Sequence, residues 1–157
     1  MIQRIQSLFL FLAAVAEILL FFLPIGYFYH EIYGNYRFFA TGVVCMDPTP
    51  AVLFPYWFAI PLEVVSGGAV ILSLLTIFLY KNRLTQIRLV AVNVFLEIIL
   101  IILLFFFYVG KIEKLTQIDI SYQAGIFMPL IALVFLIVAN RFIRKDEALV
   151  KAADRLR

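Results

Sequence analysis

Four apolar stretches, each near the length a helix needs to cross a bilayer, constrain this sequence more than any other feature. They run from about residue 5 to 23, 59 to 80, 89 to 108 and 124 to 142. At a rise of ~1.5 Å per residue, about 20 residues cover the ~30 Å of hydrocarbon. Lipid offers backbone groups no partners, so each stretch must close its own hydrogen bonds as a helix. Of the 157 residues, 65% are hydrophobic and 15% charged, with a mean hydropathy of +1.05. Soluble domains carry about a quarter charged residues, which excludes a water-solvated fold. The roughly 75 residues outside the stretches are too few for a separate soluble catalytic domain. The expected fold is an all-α membrane protein, a four-transmembrane-helix antiparallel bundle forming one integral domain over residues 1–157.

Proline and glycine punctuate the stretches. Pro24 and Gly26 close the first, and Pro48, Pro50 and Pro55 lead into the second. The first stretch carries Glu17, and its exit from Phe21 to Gly26 has no A-x-A-like site, so it is expected to stay as a span and not to be cleaved as a signal peptide. Lys and Arg divide unevenly. Arg4, Lys81, Arg83, Arg88, Arg141, Arg144, Lys145, Lys151, Arg155 and Arg157 would lie on one side, against Arg37, Lys111 and Lys114 on the other. By the positive-inside rule both termini belong in the cytoplasm. Topology and anionic lipid thereby explain the basic balance, and no nucleic-acid partner is expected. Phe54, Tyr56, Trp57, Phe58, Tyr80 and Phe105 to Tyr108 fall at span ends and are expected as interfacial rings.

The outer connection from residue 25 to 58 holds two runs rich in β-formers, residues 27–33 and 36–41, flanking Gly34-Asn35. A glycine at the first central position takes positive φ freely, so Gly34-Asn35 predicts the two-residue turn of a small β-hairpin. The layout is similar to that of the claudins, without that family's paired loop cysteines or its W-x-C-C pattern. Cys45 is the only cysteine, which leaves no intramolecular disulfide or CxxC pair. His30 is the only histidine, and adjacent Glu31 would point to the opposite strand face, so no metal site is expected.

Glu17, Glu63 and Glu97 lie one in each of the first three stretches. An ionised acid at a span centre costs about 2.5–3.5 kcal/mol, so each should face protein. Helix neighbours three and four positions away agree: Ala13 and Ala14 for Glu17, Ala59, Ser66 and Gly67 for Glu63, Asn93 for Glu97. The ~1.5 Å rise puts Glu17 and Glu97 within reach of each other near the midplane and Glu63 nearer the outer surface. Apart from Arg141 at the margin of the fourth stretch, the stretches hold no cation, and the midplane pair is expected to be protonated or to share one proton. Glu17, Glu63, Asn93 and Glu97 are the candidate intramembrane polar residues, serving helix packing or a proton path. The residues between them are Leu, Ile, Val and Phe, so no further polar relay is expected. Ser66-Gly67-Gly68 reads as a close-packing site for a neighbouring helix.

After Asn140, Leu149, Ala152, Ala153 and Leu156 recur at helical spacing and Glu147 precedes Lys151 by four, which predicts a cytoplasmic amphipathic tail over 143–157. Its candidate partner-binding residues are Leu149, Ala153, Leu156, Arg155 and Arg157. The opening Met1-Ile2-Gln3-Arg4-Ile5-Gln6 and the closing residues Arg144 to Arg157, around four apolar stretches, resemble an uncharacterised family of small four-helix inner-membrane proteins of Bacteroidota, a domain of unknown function. The resemblance implies a bacterial inner-membrane location and no particular activity.

The sequence holds no Gly-rich phosphate loop, G-x-S-x-G elbow or H-E-x-x-H. The expectation is therefore a non-enzymatic accessory or assembly subunit without cofactor. Membrane lipid and another protein at the cytoplasmic face are its expected partners, and a homo-oligomer is compatible. The alternative is a small proton-coupled or ion/lipid transporter using the glutamates.

Overall fold

A computed structural model describes residues 2–30, 34–48, 52–80 and 82–155. The chain is mostly helical, with four helices long and apolar enough to cross a membrane. Helix α1 spans Ile2–Phe22 and stops ahead of Pro24. Helix α2, Ile60–Phe78, starts with Pro61 in its first turn, where a missing N–H costs nothing. Helix α3 starts at Arg83, capped by Asn82, whose side chain accepts from the Thr85 N–H at 3.3 Å. It runs to Ile102, widens into a π-helical segment over Leu103–Val109, and continues as α4, Gly110–Thr116. A short 3₁₀ turn, Ala124–Phe127, leads into α5, Met128–Arg155.

These bounds differ from the hydropathy reading in two places. The third helix begins six residues before Leu89 and continues eight past Tyr108, because hydrogen bonding carries a helix beyond the last apolar residue. The tail is the uninterrupted end of α5 and not a separate helix. Gln117 ends α4 in the left-handed region at φ 60°.

A four-stranded antiparallel sheet caps one end of the bundle in the order β3-β2-β1-β4, with β1 Gly26–His30, β2 Gly34–Phe39, β3 Gly42–Cys45 and β4 Ile120–Tyr122. The hairpin reading is right in kind and wrong in register. His30 pairs with Gly34 and Tyr29 with Asn35, so Gly34-Asn35 belongs to β2 and the connection falls on residues 31–33, outside the described residues. Gly34 does take positive φ, 98°, as the first residue of the returning strand. A second hairpin, β2–β3, turns through Ala40-Thr41, and β4 reaches β1 from the connection between α4 and α5.

Helix α1 lies between α2 and α5, and α3 lies between the same two, so α1 and α3 face each other across a diagonal. Directions alternate around this ring. Phe9 of α1 stacks on Phe142 late in α5 at 5.7 Å, Arg83 at the start of α3 pairs with Asp146 of α5 at 3.4 Å, and Gln86 of α3 bonds Thr76 late in α2.

Two apolar clusters fill the interior. One, toward the sheet, joins Leu20, Phe28, Phe38, Phe58, Leu62, Leu100, Leu104 and Tyr108. The other, toward the chain termini, joins Leu10, Ala13, Ala16, Val90, Ala132, Leu136, Ala139 and Ile143. Tyr108 and Phe58, expected at an interface, belong to the first cluster: the Tyr108 hydroxyl donates to the Phe58 carbonyl at 2.8 Å, which satisfies a phenol that could not otherwise be buried. The bundle surface inverts the usual pattern. Phe22, Phe78 and Phe106 are 73%, 76% and 80% exposed, while Gln6, Glu17, Gln86 and Glu97 are fully buried.

Two glycines should respond oppositely to a methyl group. A Cβ on Gly125 would come within 2.6 Å of the Pro24 carbonyl oxygen, where the Gly125 N–H donates, whereas a Cβ on Gly68 meets nothing within 4 Å. Gly67 is equally open, so the close-packing reading of Ser66-Gly67-Gly68 is corrected: only Ser66 is buried, its hydroxyl bonded to the Leu62 carbonyl at 2.9 Å. Gly125→Ala is expected to destabilise by about 1–3 kcal/mol through overpacking. Gly68→Ala is expected to stabilise by about 0.5–1 kcal/mol through helix propensity. Thermal unfolding of both variants in detergent checks the pair of signs.

Candidate functional site

The buried faces of α1 and α3 set the site. On α1 they carry Gln6, Leu10, Ala13, Glu17 and Leu20; on α3, Gln86, Val90, Asn93, Glu97 and Leu100. Steps of three and four residues keep these positions on one helix face. The small Ala13 and Ala14 leave room beside Glu17, and its carboxyl faces the Glu97 carboxyl across the diagonal. The pair sits between the two apolar clusters.

None of the four carboxyl oxygens has a hydrogen-bond partner among the described residues. Two ionised carboxylates only accept, so a bond between them exists only when at least one holds a proton. An unshared charge pair in this surrounding would combine desolvation with like-charge repulsion. Holding a proton between them is the simplest chemistry two facing acids can perform.

Asn93 stands one turn from Glu97 and ties α3 to α2. Its Nδ2 donates to Ser73 Oγ at 2.7 Å and to the Ala69 carbonyl at 3.2 Å. Nearer the termini, Gln86 Nε2 donates to the Thr76 carbonyl at 2.8 Å. The expectation of no further polar relay is thus corrected on one side: Asn93, Ser73, Gln86, Thr76 and Gln6 are all buried between the pair and the termini. The sequence signal was present, since Gln86 and Asn93 are seven residues apart on one helix face, but hydropathy averages it away.

Glu63 is not part of this group. It lies in the first turn of α2, half-buried, and accepts from the Tyr56 hydroxyl at 3.2 Å. Its carboxylate raises the Tyr56 pKa, because ionising that phenol would set two negative charges side by side. In the tail, Leu149 is exposed. Ala153 and Arg155 belong to α5 with side chains outside the described set, and Leu156 and Arg157 lie outside the described residues.

If the carboxyls satisfy each other, removing one orphans its partner. Glu17→Leu and Glu97→Leu are each expected to cost about 1–3 kcal/mol, as an unsatisfied buried polar group does. The double variant should fall short of the summed loss by about 0.5–3 kcal/mol. A double-mutant cycle of thermal stability in detergent measures this, and strict additivity would mean the two groups do not interact.

No curated protein matches the chain. A family model described as Domain of unknown function (DUF4293) matches residues 2–156, nearly the whole sequence. With a match of that extent, the chain belongs to the DUF4293 family.

Proposed function

We propose that this chain is a four-span integral membrane protein with both termini in the cytoplasm, acting as a non-enzymatic accessory or assembly subunit that docks a cytoplasmic protein through the end of α5. Its carrying observation is the inverted bundle, apolar outside and polar within, from which a rigid helix projects. At ~1.5 Å per residue the 28 residues of α5 are about 42 Å long, more than the ~30 Å of hydrocarbon. The excess is braced: Arg83 pairs with the Asp146 carboxylate at 3.4 Å and donates to its carbonyl at 3.3 Å, and Glu147 pairs with Lys151 at 3.2 Å. Beside it runs a cleft of about 350 Å³ lined by Leu84, Ile87, Arg144, Glu147, Ala148 and Lys151. Leu84 is exposed in the cleft, and Leu149, which does not line it, is exposed on another face of the same helix end. Such an apolar strip with charges of both signs suits a protein surface better than anionic lipid. A bacterial inner membrane is the location that the resemblance at the chain ends implies.

Topology is tested by cysteine labelling in a Cys45→Ser background. Leu115→Cys on α4 and Lys145→Cys on α5 are both exposed positions, unlike Thr116, which is buried with its hydroxyl bonded to the Ile112 carbonyl. An impermeant maleimide is expected to reach residue 145 only from the cytoplasm and residue 115 only from outside. The reverse pattern overturns the orientation.

Docking is tested by Leu149→Asp and by deletion of 147–157, which keeps the Arg83–Asp146 brace. Burying Leu149 is worth about 1.5–3 kcal/mol, so Leu149→Asp should weaken a partner's binding by one to two orders of magnitude without altering insertion. A stoichiometric partner that survives the deletion ends the docking reading.

The facing carboxyls favour a second reading, proton-coupled transport of an ion or small apolar molecule. Glu97→Gln keeps the shape and cannot titrate. Proton-driven uptake that is unchanged in this variant removes that reading.

A further inference from the structure

The half of the bundle between the carboxyl pair and the chain termini holds polar atoms without a partner among the described residues. Gln6 is fully buried, and neither its Oε1 nor its Nε2 has a partner among those residues. Gln86 and Asn93 donate their amide nitrogens to α2, but Gln86 Oε1 and Asn93 Oδ1 are left over. The opposite half is different. There Leu20, Leu62, Leu100 and Leu104 close against Phe58 and Tyr108. No buried side-chain polar atom within the helices of that half lacks a partner among the described residues.

Unsatisfied buried amides and carboxyls are costly, and interior water, making two to four hydrogen bonds, is what native proteins use to satisfy them. Apolar gaps stay dry and polar ones fill, so the two halves should differ in hydration. The geometry points to a file of internal water that reaches the Glu17–Glu97 pair from the end carrying the chain termini and stops there, making the pair a proton-binding site in exchange with that end alone. A proton arriving along the file adds to a carboxylate oxygen to give the carboxylic acid and leaves by the same route.

No other titratable group competes for it among the described residues of the packed helices. Inward, α2 presents Ser66, Ala69 and Ser73 and α5 presents Ala132, Leu136 and Ala139, none of them titratable, while Glu63 is engaged with Tyr56 at the sheet end. The inference stands whether or not the tail docks a partner, and it opposes proton-coupled transport through the pair.

The test is infrared spectroscopy of the full chain in lipid vesicles. A carboxylic-acid C=O band is expected near neutral pH, absent from the Glu17→Gln/Glu97→Gln double variant. On transfer to D₂O it should shift within seconds, while the amides of α1 and α3 keep their hydrogens far longer. Gln6→Leu should slow that shift by at least an order of magnitude without lowering the thermal midpoint, because Gln6 has no side-chain bond to lose among the described residues. Gln6→Met, of similar volume, gives the same reading if the leucine variant fails to fold. The water file is overturned by absence of the band, by exchange no faster than the amides, or by an unchanged rate in both Gln6 variants. Vesicles bearing the wild-type chain should hold a pH gradient as long as protein-free vesicles do, and a leak overturns the closed end.

Discussion

A bundle whose outer surface is apolar must satisfy its polar side chains from within, and that constraint organises the interior of this protein. Asn93 takes Ser73 and the Ala69 carbonyl, Gln86 takes the Thr76 carbonyl, and Tyr108 takes the Phe58 carbonyl. Each of these contacts joins two different elements, and several join helices α2 and α3. Polar contacts of this kind define which helix faces meet, because the alternative is an orphaned group. Leucine contacts alone would tolerate a rotated helix; Asn93 opposite Ser73 does not.

The sheet does for the bundle's other end what the polar contacts do for its middle. Strand β1 leaves α1 after three residues and accepts β2 on one edge and β4 on the other, so it fastens the first long connection to the last. The join is tight. The Ile25 N–H donates to the Phe38 carbonyl at 2.7 Å, and its carbonyl accepts from Gln123 at 3.0 Å. Glu113 of α4 reaches the Ile120 N–H of β4 at 3.1 Å. Phe28 and Phe38 on the inner face continue directly into the cluster with Leu104 and Tyr108, which makes sheet and helices one packed body.

What the sequence disclosed follows the range of each signal. Four helices were legible because an apolar run of about 20 residues has few other fates, and the meeting of Glu17 with Glu97 followed from the fixed rise of a helix. Helix ends were less so. Hydropathy marks where polar residues begin, and Arg83 and Lys111 are helical all the same. The hairpin was visible in its β-forming runs, but Gly34-Asn35 misled on register because a glycine at positive φ fits the first residue of a strand as well as a turn. Strand β4 could not be read at all: three residues, Ile120–Tyr122, carry no period, and only the edge of β1 makes them a strand. Gln6 and Gln86 escaped notice for a related reason, since a single amide at the end of an apolar run looks like a boundary residue, and Ser73 because one hydroxyl inside such a run hardly lowers its hydropathy.

The π-helical turn at Leu103–Val109 carries a geometric debt. A wider turn absorbs one residue more than an α-helix would, and here it lets neighbouring Tyr108 and Val109 both face inward. Each residue of an α-helix advances the chain by about 100° around its axis. Everything beyond Val109 therefore holds its azimuth by virtue of that one surplus residue. Glu113 meets β4, and Ile112 and Thr116 point to the interior, only in this phase. A single-residue deletion anywhere in the segment would leave a regular helix, yet swing α4 by more than a quarter turn and unhook the connection between α4 and α5 from the sheet.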